Sequence, residues 1–137
     1  KGVSRLRKSA RGLSALGVSF DVILTSPLVR TRQTAETVAA ELDTRPVIVN
    51  TESLAPGGSY AAVATELEKL SKRARIALVG HEPGIGELAA RLTGCRQSIA
   101  FRKGAVCRID VDALPPAGPG ELRWFLTSRI LRAIRRA

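Results

Sequence analysis

The sequence predicts an α/β fold: a three-layer sandwich with a mostly parallel sheet and helices on both faces. Three observations carry that prediction. Short apolar runs of strand length alternate with segments of helical periodicity; two of these runs pass straight into a helix through a proline-containing turn; and a Pro/Gly-rich loop joins two further strand-like segments. With 137 residues and 45% hydrophobic content the chain is long enough for one core and too short for two, so residues 1–137 read as a single domain.

The elements follow in order. Leu6, Ala10, Leu13 and Leu16 recur at helical spacing through a basic first segment that Gly17 ends. Phe20 to Thr25 reads as a buried strand closing at Ser26-Pro27. Ser26 is the expected N-cap, and Pro27 the first residue, of a helix carrying Leu28, Ala35, Val38, Ala39 and Leu42. Val47-Ile48-Val49 is the second strand, and the loop Ala55-Pro56-Gly57-Gly58 leads to Ser59, the N-cap of a helix reaching Leu70. Ile76 to Val79 is the third strand; Gly80-His81-Glu82-Pro83 follows, then a helix with Leu88, Ala89 and Leu92 that runs to Gly94. Ala105 to Val111 and Leu122 to Leu126 form a strand pair joined by the Pro115 to Gly120 loop, and Ile130, Leu131 and Ile134 mark a last helix.

Charge and composition exclude several classes. The balance of 22 Lys+Arg against 12 Asp+Glu gives a net charge of +10, concentrated in Lys1 to Arg11 and in Arg129 to Arg136. A solvated basic face is preferred to nucleic-acid binding, because aromatic interleaving and a nucleic-acid motif are both missing. No apolar run approaches the ~20 residues of a membrane span, and no signal-peptide core precedes Leu16. The expectation is a soluble, cytoplasmic protein with no membrane partner. Cys95 and Cys107 have no metal-site spacing and the chain has a single histidine, so neither metal nor cofactor is expected; buried reduced thiols are preferred to a disulfide. A chain that lacks methionine and opens Lys1-Gly2-Val3 is expected to be a piece of a longer protein.

Two similar junctions concentrate the chemistry. Leu24-Thr25-Ser26-Pro27-Leu28-Val29-Arg30 and Leu78-Val79-Gly80-His81-Glu82-Pro83 each place helix-terminal N–H groups at the carboxyl edge of the sheet, where ligands bind and anions are favoured. Arg30 lies in a first helical turn, where the macrodipole disfavours a cation, so it is a candidate anion ligand; the alternative is that it simply reaches solvent. His81, the one histidine, ends the other strand. Alone it is more often structural, but beside Arg30 it would complete a space suited to a tetrahedral phosphoryl group.

Ser26-Pro27-Leu28-Val29-Arg30-Thr31-Arg32-Gln33-Thr34-Ala35 and Val79-Gly80-His81-Glu82-Pro83 resemble two signature segments of the histidine phosphatase superfamily, which has the phosphoglycerate-mutase-like fold. The resemblance is closest to its branch of short SixA-type phosphohistidine phosphatases. It implies that Arg30 and His81 are the catalytic, phosphate-binding residues, with His81 the second catalytic histidine and Ser26 only shaping the turn. The family's nucleophile is a histidine in an Arg-His-Gly or Arg-His-Ala motif after a first strand. This sequence has no such motif, so the first strand is expected to lie outside it, and the chain alone is expected to be inactive.

The resemblance implies a phosphatase that hydrolyses a phosphoryl group from a protein histidine through a phosphohistidine intermediate. Glu52 and Glu82 do not match the acid of the mutase members, which favours a phosphoramidate, whose protonated imidazole leaves readily. Two alternatives stand beside it: a phosphatase acting on a small phosphate ester or anhydride, and a non-catalytic phosphate- or nucleic-acid-binding module. The expected partners are accordingly a phosphorylated protein histidine or a small phosphorylated substrate.

Overall fold

The computed structural model describes residues 2–73 and 75–135. Strands β1 (Val22–Thr25), β2 (Val47–Asn50) and β3 (Ile76–Val79) form a parallel sheet in the order β2-β1-β3. β1 pairs with both neighbours, Thr25 standing opposite Asn50 and Val79. All four β1 residues are buried, as a central parallel strand covered on both faces must be. β3 bonds only to β1 among the described residues, and its residues are half-buried. Strands β4 (Val106–Asp110) and β5 (Glu121–Leu126) pair antiparallel in a second sheet, as the connecting Pro/Gly loop predicts.

The helices cover two faces. On one side α1 (Gly2–Ala15), the end of α2 (Val29–Glu41) and α5 (Ser128–Ala133) meet through Leu13, Leu42 and Leu131, with Phe20, Val38 and Trp124 packed against them. On the other, α3 (Tyr60–Lys69) and α4 (Gly84–Thr93) pack Val63, Leu67 and Leu88 onto Leu24 of β1. Leu24 is 1% exposed. The three-layer α/β architecture with its parallel sheet is therefore present.

Several boundaries hold for their predicted reasons. The Ser59 hydroxyl accepts the Ala62 N–H and starts α3, while Gly94, left-handed at φ 75°, ends α4. Two seam residues are misplaced by the periodicity. Leu16 and Ile130 are exposed, because α1 ends at Ala15 and the short α5 turns Leu131, not Ile130, into the core. The predicted burial of Cys95 is also wrong: it lies past the α4 cap and is exposed, whereas Cys107 in β4 is half-buried, and both are free thiols.

Two results check this packing. At Gly12 a Cβ would stand 2.1 Å from the Leu131 carbonyl oxygen, so α1 and α5 approach at a backbone that cannot yield. Gly12→Val is expected to destabilise the fold by about 1–3 kcal/mol in urea unfolding. Burial raises the pKa of the Cys107 thiol, leaving less thiolate near neutral pH. Alkylation followed by mass spectrometry is expected to label Cys95 first, and equal rates would contradict the placement of Cys107. Among the described residues no helix is long and apolar enough to cross a membrane.

Candidate active site

The parallel register brings the two predicted junctions together. The Ser26 N–H donates to the Val79 carbonyl at 3.1 Å, continuing the β1–β3 ladder by one residue. One step further, Ser26 Oγ and His81 Nε2 stand 2.8 Å apart. Ser26 is fully buried and His81 half-buried, so the imidazole edge reaches the surface from a fixed base.

The hydrogen bonds around Ser26 link Thr31 to His81. Thr31 Oγ1 has one proton, with the carbonyls of Ser26 (3.1 Å) and Leu28 (3.0 Å) in reach. With that proton directed at a carbonyl, Thr31 Oγ1 accepts from Ser26 Oγ, 2.9 Å away; with it directed at Ser26 Oγ the direction reverses, and the distances allow both. In the first arrangement Ser26 Oγ is left as acceptor for the Leu28 N–H at 3.2 Å and for His81. His81 Nε2 is then an N–H donor to Ser26 Oγ, and in the other tautomer Nε2 accepts the serine proton. The first arrangement supplies the donor that an incoming phosphoryl oxygen requires.

Ser26 therefore has a different role from the two predicted for it. It is not the α2 cap: Leu28 is the N-cap, with no side-chain capping bond. Nor does it only shape the turn, since it holds the histidine. Thr31, which completes the network, has no signal in the sequence beyond its place in the resembling segment.

Arg30 is the second residue of α2, whose first turn contains no acid. Its side chain is exposed, and its guanidinium has no ion-pair or hydrogen-bond partner among the described residues. The neighbouring Arg32 is committed, to Glu36 at 3.1 Å and Asn50 at 2.9 Å. An uncapped helix N-terminus carrying an unpaired guanidinium, next to an imidazole, has three kinds of donor for an oxyanion and no carboxylate bonded to any of them.

Glu82 is fixed as an acceptor. One of its carboxylate oxygens accepts the Gly86 N–H at 2.7 Å and the other the Phe101 N–H at 3.1 Å, tying the 98–101 segment to the first turn of α4. Gly86 permits that closeness: a Cβ there would lie 2.2 Å from the Ile99 carbonyl oxygen. Glu52 is exposed in a 3-10 turn, Glu52–Leu54, after β2. Among the described residues no cluster of His, Cys, Asp and Glu could hold a metal ion.

Known proteins resemble the chain in sequence and in fold. The family model for the histidine phosphatase superfamily (branch 1) matches residues 1–54. The phosphohistidine phosphatase SixA of Escherichia coli K12 is 26% identical over 128 residues, covering 92% of this chain and 78% of that protein. An uncharacterised protein of the cyanobacterium Picosynechococcus (strain PCC 7002) is 46% identical over 92 residues, 65% of this chain. The chain spans about half the length of that relative, 54%. The solved structure of the protein histidine phosphatase SixA complexed with tungstate superposes with a TM-score of 0.83 at 25% identity, covering 93% of this chain and 81% of that one. The chain is thus similar to the histidine phosphatase superfamily over residues 1–54 and to SixA over most of its length.

Proposed function

We propose that the protein is a phosphohistidine phosphatase, and that Arg30 and His81 bind the transferred phosphoryl group. The observation that carries this reading is the Ser26–His81 pair, which holds the imidazole beside the uncapped first turn of α2 and the unpaired Arg30. The likeness to a SixA structure complexed with tungstate, a tetrahedral oxyanion, supports the same assignment.

The chemistry divides between residues on and off this chain. The nucleophilic histidine that the resemblance implies, outside these 137 residues, attacks phosphorus in line as the bond from phosphorus to the substrate imidazole breaks. The leaving imidazole departs protonated, so it needs no strong acid from the protein. Water then cleaves the phosphohistidine intermediate and releases phosphate. In both steps the His81 N–H, the Arg30 guanidinium and the helix N–H groups stabilise charge on the equatorial oxygens. The partner is a phosphorylated protein, and the cytoplasm is the compartment that suits this substrate and the free thiols.

The test is an assay of the full-length protein on a phosphohistidine peptide and on a sugar phosphate. Faster turnover of the peptide, lost in His81→Ala, is the expected result. Preference for the sugar phosphate would select the small-ester alternative, and no hydrolysis of either would leave a non-catalytic phosphate-binding module.

A further inference from the structure

We propose that the groove running from His81 along α4 seats an acidic polypeptide segment flanking the phosphorylated side chain, gripped by Arg91 and Arg96. This rests on the phosphatase reading for what occupies the His81 end and adds what occupies the other. The groove encloses about 560 Å³ between the loop at Pro56–Ser59 and α4, with His81, Tyr60, Arg91 and Arg96 in its walls.

Arg91 is already positioned. Its guanidinium carbon lies over the Tyr60 ring, 4.3 Å from the centroid, a cation–π contact that leaves its N–H groups without a hydrogen-bond partner among the described residues. Glu87, one helical turn earlier, is the ordinary i,i+4 partner for Arg91. No ion pair joins them among the described residues, because the tyrosine holds the guanidinium instead. Arg96, just beyond the α4 cap, also lines the groove without a carboxylate partner. The acid nearest His81, Glu82, has both oxygens engaged by backbone N–H groups. Two unspent cations therefore face the groove against one unpaired acid, Glu87.

The spacing selects a polypeptide. An α-helix rises 1.5 Å per residue, so Arg91 lies about 10 Å along α4 from Gly84, at the His81 end. An extended chain advances ~3.3–3.6 Å per residue, which puts a side chain about three residues from the target opposite Arg91. A monophosphate bound at His81 does not reach it.

The test uses fluorescence anisotropy with labelled peptides that carry a stable phosphohistidine analogue, flanked three residues away by either Asp/Glu or Asn/Gln. Unphosphorylated versions of both peptides, a small bisphosphate and inorganic phosphate complete the set. Arg91→Ala combined with Arg96→Ala is expected to weaken the acidic peptide about tenfold while leaving the neutral peptide and inorganic phosphate unchanged. Arg73→Ala, an exposed cation outside the groove, is expected to change nothing. Equal binding of acidic and neutral peptides would overturn the assignment, as would a bisphosphate that loses as much affinity as the acidic peptide. Failure of the phosphatase reading is distinguishable: inorganic phosphate would not bind at His81, while the unphosphorylated pair would still report charge discrimination by Arg91 and Arg96.

Discussion

Replacing His81 with alanine is expected to lower phosphohistidine hydrolysis by the full-length protein by about 10²–10³-fold, the usual cost of deleting one preorganised oxyanion donor. The magnitude follows from how the donor is held. Ser26 is fully buried and bonds both Thr31 and His81, so it fixes the imidazole in place before any ligand arrives. A ring held at this place by Ser26 lies beside the Arg30 end of α2, where a phosphoryl oxygen would sit. Ser26→Ala leaves the imidazole but removes its support and the acceptor for Leu28, so a smaller fall is expected. Steady-state kinetics on both variants checks the order. Unchanged turnover in His81→Ala would remove the histidine from the mechanism.

Arg30→Ala is expected to lose affinity for phosphate by about 10–100-fold, since a charge-assisted contact from a fork-shaped donor is removed. Arg30→Lys should recover only part of it, because an ammonium cannot reproduce the fork. Stability should move the other way. The guanidinium sits unpaired in the first turn of α2, where a cation opposes the helix dipole by about 0.3–1 kcal/mol. Removing it is expected to leave the unfolding midpoint the same or slightly higher while binding collapses. A variant that unfolds earlier and binds normally would show that Arg30 serves the fold and not the site. Arg32→Ala is the natural control, because Arg32 is spent on Glu36 and Asn50.

The legible part of this molecule is what local pattern determines. The three βα units, the strand pair, the Ser59 cap and the Gly94 stop are all written in short-range spacing, and they appear where that spacing puts them. So is the approach of the two junctions, because β1 and β3 are neighbours and their ends must meet. What the sequence could not show is which groups bond across that meeting. Ser26 looked like a helix cap because serine before proline usually is one. The bond to His81 lies 55 residues away in the chain and depends on register. Nothing in the local sequence marks Glu82 as a clamp, because that role needs the 98–101 segment to fold back against Gly86. The Tyr60–Arg91 stack joins two helices whose relative rotation no periodicity encodes.

These 137 residues hold a single histidine, and in the full-length protein the His81 imidazole signals in a ¹⁵N-correlated NMR spectrum are the ones that vanish in His81→Ala. Titrating the protein with tungstate and following those signals tests the central claim most directly. A saturable shift of the His81 resonances on adding tungstate is expected, with much weaker saturation in Arg30→Ala. An imidazole that stays unperturbed while tungstate binds elsewhere, or a response identical in Arg30→Ala, would contradict the claim.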